Sequence, residues 1–258
     1  MTHVSWEPRS GSVPGPGAGR LPRPALAFFD VDETLLATKS MLDFWHFWRT
    51  VRHEWPAVGD QDDHDGEVRT TGADRSALNR AYYRRFAGVP AHAVRAAAHR
   101  WYDAHRRRPD AFVVGGLQAV RWHRCRGHEV VLVSGSLRLV VERVAEDLGA
   151  TQVCCTEQVV SADGVLTGEV DRPMIGRAKA DAVAAVLAER GVPAAQCFAY
   201  GDHDSDLDML RSVGNPVVVG GTPALRQEAE RCGWPVLSPR TGPLGALADR
   251  RIPAGVNG

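Results

Sequence analysis

The amino-acid sequence predicts an α/β fold, in which a doubly wound parallel sheet forms the core and an α-helical cap domain is inserted into it. Short, continuous apolar runs begin near Ala25, Glu129 and Gln196, and such runs are typical of parallel strands buried on both faces. Helical patterns separate them, as in βαβ units. About a hundred residues separate the first run from the second, too many for one crossover connection, and this gap indicates the inserted module.

The predicted core elements follow one another along the chain. The apolar runs cover 25–32, 129–136 and 196–202, and shorter strand candidates cover 216–219 and 234–237. Helices are predicted near 110–126, 137–148, 177–190, 204–212 and 222–232. Two strand-like stretches within 152–170 flank Ala162-Asp-Gly, which is a hairpin signal.

The sequence divides into three regions. Residues 1–24 are rich in Gly and Pro and lack the apolar segment of a secretory signal, so we expect a disordered leader. The α/β core is expected at 25–38 and 110–250. The predicted cap, 39–109, contains a flexible polar loop near 56–72 and helices at 40–54, 74–87 and 90–107.

Composition and charge exclude several classes of protein. Thirty-one basic residues balance thirty-one acidic ones, so no overall field would attract nucleic acid or an anionic membrane. No apolar run approaches the roughly 18–20 residues of a membrane-spanning helix. The five scattered cysteines are typical of free thiols in a reducing compartment, so we expect a cytoplasmic protein, with monomer and homodimer both open.

Two aspartates follow the first predicted strand. Asp30 and Asp32 are two residues apart, so their carboxylates would point the same way at close range. Such like charges need a cation or a shared proton, and hard oxygen ligands favour Mg²⁺. Thr34 lies in the turn that follows and is expected around the same point.

The other strand ends carry further groups of this kind. Ser134 and Gly135 end the second run and offer a hydroxyl and free amides to an oxyanion. Asp202 ends the third run, and Asp206 lies one helical turn beyond it.

The chain contains only two lysines, Lys39 and Lys179, among its basic residues. A chain that otherwise uses Arg has kept Lys where a compact ammonium group is needed. Lys179 begins a predicted helix close to the strand ends. Because parallel strands end at one edge of a sheet, the carboxylates that hold a cation and the groups that hold an anion are expected to converge there. The sequence therefore predicts a metal-assisted phosphate site.

Four motifs resemble those of the haloacid dehalogenase (HAD) superfamily. They are Asp30-Val-Asp-Glu-Thr-Leu, Ser134-Gly-Ser, Lys179 and Gly201-Asp-His-Asp-Ser-Asp, in the family's order. The helical insertion resembles the subfamily I cap, and the stretch after Gly201 is most similar to the phosphoserine-phosphatase-like branch. The resemblance implies a Rossmann-like core and a Mg²⁺-dependent phosphatase for a small phosphorylated metabolite.

The resemblance also implies roles for the motif residues. Asp30 would attack phosphorus and form an aspartyl-phosphate, and Asp32 would act as general acid and then as general base. The metal set would be Asp30, Asp32 through its backbone carbonyl, and Asp202, with Asp206 supporting the metal waters and Lys179. Phosphate binding would fall to Thr34, Ser134 and Gly135, with charge neutralisation from Lys179.

Lys39 departs from the family pattern. Phosphoserine phosphatases carry a Glu at this position, nine residues after the nucleophile, which receives the substrate ammonium group. A lysine there would repel that group, so free phosphoserine is disfavoured and Lys39 is expected to contact a second anionic group, or nothing closely. His203 also departs from the pattern, and its role is open.

Alternatives to hydrolysis stay open at this point. The chain could transfer the phosphoryl group to an acceptor alcohol, or keep the fold as a non-catalytic binding or regulatory protein. The Arg-rich stretch 76–108 could grip an anionic substrate, although a solvated helix face balanced by nearby acids is favoured.

Overall fold

The computed structural model describes residues 24–55 and 75–247. The predicted flexible loop, the predicted leader except for its last residue, and residues 248–250 of the predicted core lie outside the described residues. Among the helices of the described part, none combines the length and apolar composition needed to cross a bilayer.

Strands and helices alternate along most of the chain. The strands are β1 (Leu26–Phe29), β2 (Phe112–Val113), β3 (Glu129–Leu137), β4 (Gln152–Thr156), β5 (Gln158–Val160), β6 (Leu166–Val170), β7 (Phe198–Gly201), β8 (Asn215–Val219), β9 (Val236–Leu237) and β10 (Thr241–Gly242). The helices are α1 (Ser40–Val51), α2 (Arg75–Arg84), α3 (Ala91–His105), α4 (Val114–Cys125), α5 (Arg138–Leu148), α6 (Arg177–Arg190), α7 (Leu207–Arg211) and α8 (Pro223–Cys232). Short 3₁₀ turns follow α1 at Arg52–Glu54 and precede α7 at Asp204–Asp206.

Six parallel strands form the main sheet, in the order β4-β3-β1-β7-β8-β9. The chain runs outward from β1 to β4, returns to β7 beside β1, and then runs outward again. This reversal is the doubly wound arrangement that the sequence predicts.

Each face of the sheet is covered by its own apolar cluster, which explains the continuous apolar strands. In β1, Ala27 and Phe29 pack with helices α4 and α5 on one face, whereas Leu26 and Phe28 pack with α6, α7 and α8 on the other. A strand buried on both faces needs no polar alternation. The β1 sequence is therefore typical of a central strand, and β1 lies between β3 and β7.

The inserted helices α1, α2 and α3 share a core with one face of the sheet. Phe44, Trp48 and Phe86 pack against one another through aromatic ring contacts, and this cluster is continuous with the apolar face of β1. A polar contact also joins the inserted helices to the core: the Tyr102 hydroxyl on α3 donates to Asp147 on α5 at 2.8 Å. The boundaries 39–109 of the cap domain remain a prediction.

The stretch 152–170 differs in part from the sequence prediction. A hairpin forms here, but its arms are β5 and β6, with the turn around Gly164. Gln152–Thr156 instead extends the main sheet as β4, parallel to β3. The five residues of β4 carry no local signal that β3 is their partner. The pairing of β4 with β3 is therefore visible only in the folded chain.

Candidate active site

The carboxyl ends of β1, β3 and β7 meet where the strand order reverses. A cavity of about 890 Å³ is lined by residues at the carboxyl ends of these three strands and by residues of α1 and α2. In open α/β sheets, ligands bind at the carboxyl ends of strands that flank such a reversal. We therefore take this cavity as the candidate active site.

Lys179, in the first turn of α6, connects two carboxylates at the sheet edge. Its Nζ donates to Asp30 Oδ1 at 2.5 Å and to Asp206 Oδ1 at 2.6 Å, and all three side chains are buried. Burial by itself lowers the pKa of a lysine, but the two carboxylates outweigh burial and raise the pKa of Lys179. The buried ammonium group is therefore charged.

Both carboxylate oxygens of Asp206 are engaged by the protein. Oδ1 accepts from Lys179, and Oδ2 accepts from the backbone amides of Asp202 at 3.2 Å and His203 at 3.1 Å. Asp206 thus holds Lys179 and the loop after β7 in place. This arrangement suits a supporting residue better than a direct ligand of a cation.

The carboxylates of the site form a group that fits a divalent cation. One oxygen of each of Asp30, Asp202 and Asp206 lies within 4.8 Å of the others. Burial, with the charges of Asp206 and Glu33, raises the pKa of Asp202 to about 7, although its Oδ1 accepts a hydrogen bond from Thr34 at 3.2 Å. Lys179 supplies one positive charge against these three carboxylates. A hard cation such as Mg²⁺ would balance the remaining negative charge.

Burial dominates the environment of the Asp30 carboxyl. It raises the pKa of Asp30 well above the ordinary value, Lys179 opposes this shift, and the charges of Asp206, Asp202 and Asp32 add to it. A cation bound among these carboxylates would reverse the shift and favour the ionised form of Asp30.

Asp32 has one engaged oxygen and one free oxygen. Ser136 Oγ donates to Asp32 Oδ2 at 2.9 Å, and Ser40 Oγ donates to Ser136 Oγ at 2.8 Å. Within residues 24–55 and 75–247, Asp32 Oδ1 has no hydrogen-bond partner. Burial raises the pKa of Asp32, so this carboxyl takes up a proton more readily than an exposed aspartate does.

Ser134 and Gly135 line the same cavity and are held from both sides. Ser134 Oγ accepts from the amide of Ser136 at 3.1 Å. The carbonyl of Gly135 accepts from Asn79 Nδ2 at 2.9 Å and from the Tyr83 hydroxyl at 3.0 Å. These bonds connect helix α2 to the end of β3, which the sequence predicts to bind phosphate.

The family model for haloacid dehalogenase-like hydrolases matches residues 27–211, more than half of the chain. The chain belongs to this family. A Streptomyces azureus relative named "Inhibition of morphological differentiation protein" is 34% identical over 229 residues, which cover 84% of this chain and 79% of the relative. A probable phosphatase of Mycobacterium tuberculosis is 43% identical over 116 residues, which cover 45% of this chain and 40% of the relative.

Solved structures support the fold of this haloacid dehalogenase-like hydrolase. A phosphoserine phosphatase in its apo form superposes with a TM-score of 0.60 at 17% identity, covering 88% of this chain and 99% of that chain. The family match confirms the resemblance drawn from the four motifs, and the superposition confirms the predicted α/β class.

In this hydrolase, Lys39 lies beside an acid of its own loop. Its Nζ is 3.4 Å from Glu33 Oε2, and both side chains are about half exposed, at 51% and 47%. Lys39 lines the cavity, but Glu33 balances its charge. Glu33 has a φ of 58°, in the left-handed region, and the sequence gives no signal of this turn conformation. Substrate binding by Lys39 stays a prediction.

His203 joins the loop after β7 to the start of α2. Its Nδ1 accepts from the amide of Ser205 at 3.0 Å, and its Nε2 lies 2.8 Å from Arg75 Nη1. The imidazole thereby caps the 3₁₀ turn that carries Asp206. His203 is placed to position this loop.

Most arginines of the stretch 76–108 contact acids or carbonyls of the hydrolase itself. Examples are Arg84 with Glu169, Arg100 with Glu54, Arg106 with Asp147, and Arg80 with the carbonyl of Val170. These pairs support the solvated-face interpretation for most of the stretch. Arg85 differs, because it lines the cavity.

Sequence reasoning did not single out Ser40, Ser136, Asn79 or Tyr83 as site residues. Ser136 follows Ser134 by two positions, so the period of a strand puts both on one face, and this signal was present. Ser40, Asn79 and Tyr83 lie on inserted helices. Their arrival at the site depends on how those helices pack, and no local pattern reveals that.

Gly116 in α4 lies close against the loop after β1. A Cβ at this position would lie 2.1 Å from the carbonyl oxygen of Thr34. We expect Gly116→Ala to lower the free energy of unfolding by about 1–3 kcal/mol, even though Ala is the better helix former. Urea unfolding measures the change. Gly245→Ala is the control, since its added methyl group meets no described atom within 4 Å, and equal stability of the two variants would contradict the prediction.

Proposed function

We propose that this chain is a Mg²⁺-dependent phosphatase, which hydrolyses a small phosphomonoester through an aspartyl-phosphate on Asp30. The observation that carries the proposal is the contact of buried Lys179 with Asp30 at 2.5 Å, with the carboxyl of Asp32 beside them at the same edge. One carboxylate is then oriented by a fixed cation, while a second carboxyl is biased towards its protonated form. The relatives of the chain include a probable phosphatase, which supports the same reaction class.

The first step forms the covalent intermediate. A carboxylate oxygen of Asp30 attacks phosphorus, and the bond from phosphorus to the ester oxygen breaks. The free oxygen of Asp32, when protonated, delivers its proton to the leaving alcohol oxygen.

The second step releases phosphate. Asp32, now ionised, takes a proton from a water molecule, which attacks phosphorus and displaces the carboxylate of Asp30. Lys179 balances the charge on Asp30 and on the transferring group, and Ser134 Oγ and the amide of Gly135 donate to phosphoryl oxygens. Thr34, which donates to Asp202, orients that carboxylate.

Asp30, the backbone carbonyl of Asp32, and Asp202 would hold the Mg²⁺ ion, and Asp206 would support them. When bound, the ion supplies positive charge that polarises the phosphoryl group. The five free cysteines are consistent with the proposed action in a reducing compartment, the cytoplasm. Free phosphoserine is a disfavoured substrate in this proposal, because the family resemblance assigns the position of Lys39 to the residue that receives the substrate ammonium group.

Metal removal tests the proposal directly. We expect EDTA to lower the hydrolysis of p-nitrophenyl phosphate by about a hundredfold or more, and excess Mg²⁺ to restore it. Activity that persists in EDTA would contradict the proposal.

A second readout does not depend on turnover. Saturating Mg²⁺ is expected to raise the thermal midpoint of the wild-type protein by about 2–8 °C, because an ion that binds only the folded state stabilises it. Asp202→Asn should lose most of this shift. The exposed acid Asp208 provides the matched control, and Asp208→Asn should keep the full shift.

A further inference from the structure

The wall of the cavity formed by α1 and α2 differs in charge from the aspartate-rich sheet edge. Among the described lining residues, Glu33 is the one acid besides the four aspartates of the sheet edge. Four cationic side chains also line the cavity, which are Lys39, Arg49, Arg75 and Arg85. Part of this cavity therefore attracts anions, although the whole chain carries no net charge.

Two buried polar groups in this wall lack a partner. Trp45 is 9% exposed and Tyr82 is 6% exposed, and both line the cavity. Neither Trp45 Nε1 nor the Tyr82 hydroxyl has a hydrogen-bond partner in the part of the chain that the structure describes. Buried polar groups are normally hydrogen-bonded, and an indole N–H can only donate. The missing partner of Trp45 is therefore a hydrogen-bond acceptor, and the Tyr82 hydroxyl can donate to the same group.

Arg85 adds a charge next to these two groups. Its guanidinium carbon lies 5.0 Å from the centroid of the Trp45 ring. Its neighbour Arg84 pairs with Glu169, whereas no carboxylate of the described residues pairs with Arg85. A cation held on an aromatic face, with no acid beside it, keeps its donors available to a ligand.

Tyr82 links this wall to the reaction centre. Burial raises the pKa of its hydroxyl, the charge of Arg85 opposes the shift, and the charge of Asp32 adds to it. Tyr82, Arg85 and the proposed general acid Asp32 all line the same cavity. The cavity therefore has room for a substrate whose ester oxygen contacts Asp32 and whose alcohol part reaches the wall that contains Tyr82.

We infer that Arg85, Tyr82 and Trp45 form a subsite for a second oxyanion, a carboxylate or a second phosphate, on the alcohol part of the phosphate ester. This inference rests on the proposed function. It moves the recognition of the second anion away from Lys39, whose charge Glu33 balances. The three residues would determine substrate specificity through binding, while the chemistry stays with the aspartates.

A series of matched esters tests the subsite. Phosphate release is measured for ω-carboxyalkyl phosphates of two to four carbons, for α,ω-alkanediol bisphosphates, and for alkyl and ω-aminoalkyl phosphates of equal chain length. We expect kcat/KM of one anionic series to exceed that of the neutral esters by about tenfold to a hundredfold, mainly through KM, and the cationic esters to be poorest. The better anionic series identifies the group that is bound.

Variants locate the preference in the three residues. Arg85→Gln and Tyr82→Phe are expected to reduce the anionic-to-neutral ratio of kcat/KM at least fivefold, and Arg85→Lys to retain part of it. Arg95→Gln, at an exposed position on α3 away from the cavity, is the matched control and should keep the wild-type ratio. Thermal midpoints establish that each variant is folded.

The outcomes separate the two proposals. A wild-type ratio near one, a preference for the cationic esters, or an unchanged ratio in folded Arg85→Gln and Tyr82→Phe would overturn the subsite and leave the phosphatase proposal standing. Failure of the wild-type protein to hydrolyse any of the esters would reject the phosphatase proposal, and the subsite with it.

Discussion

Asp30→Asn is expected to lower kcat for p-nitrophenyl phosphate by at least about a thousandfold, because an amide cannot form the acyl-phosphate bond that the proposed first step requires. The change keeps the shape of the side chain and leaves Asp206 as a partner of Lys179. It also removes one negative charge from a group of buried carboxylates, in which burial first and then the neighbouring aspartates raise the pKa of Asp30.

The structure therefore separates catalysis from folding in this variant. The thermal midpoint of Asp30→Asn should equal or exceed that of the wild type, since a destabilising charge is lost. Asp208→Asn removes a carboxylate from the exposed face of α7 and should keep wild-type turnover. Near-normal activity in Asp30→Asn would exclude Asp30 as the nucleophile.

Asp32→Asn has the second large expected effect, and its size should depend on the leaving group. For an alkyl phosphate, whose alkoxide must be protonated as it leaves, we expect kcat/KM to fall by about 10²–10⁴-fold. For p-nitrophenyl phosphate the loss in kcat/KM should be smaller, because nitrophenolate leaves without a proton. The comparison uses kcat/KM because this constant reports on steps up to the first irreversible one.

The contrast between the two esters is the test of the general acid. An equal loss for both would mean that Asp32 acts in binding or in the integrity of the site, through its contact with Ser136, and not as a proton donor. Ser136→Ala is a useful companion, since it removes that hydrogen bond but keeps the carboxyl group. It should reduce activity less than Asp32→Asn does and show the same dependence on the leaving group.

The core sheet was predictable because its strands carry their own signal. β1, β3 and β7 are apolar on both faces, and each is followed by residues with no place in an apolar core, such as Asp30 and Asp202. The position of β4 was not predictable, because its partner β3 is chosen by packing and not by its own five residues. The aromatic residues of α1 are typical of a buried helix face, but they do not reveal the core that α1 shares with the sheet.

The active site likewise has a part that the sequence predicts and a part that it does not. The topology of a parallel sheet brings the strand-end aspartates to one edge, so the sequence order alone predicts their proximity. The pairing of Lys39 with Glu33 accompanies a left-handed backbone conformation at Glu33, which the sequence does not indicate at a residue other than glycine. The unpartnered Trp45 and Tyr82 are likewise visible only in three dimensions, because as residues of a helical pattern they resemble ordinary core.

Chemical trapping tests the central proposal most directly. The protein is mixed with excess substrate and Mg²⁺, quenched in acid and reduced with borohydride, which converts an aspartyl-phosphate into homoserine, and its peptides are analysed by mass spectrometry. We expect the conversion at Asp30 alone, dependent on substrate and absent from Asp30→Asn. Conversion at another carboxylate, or none while wild-type turnover continues under the same conditions, would contradict a covalent mechanism at Asp30.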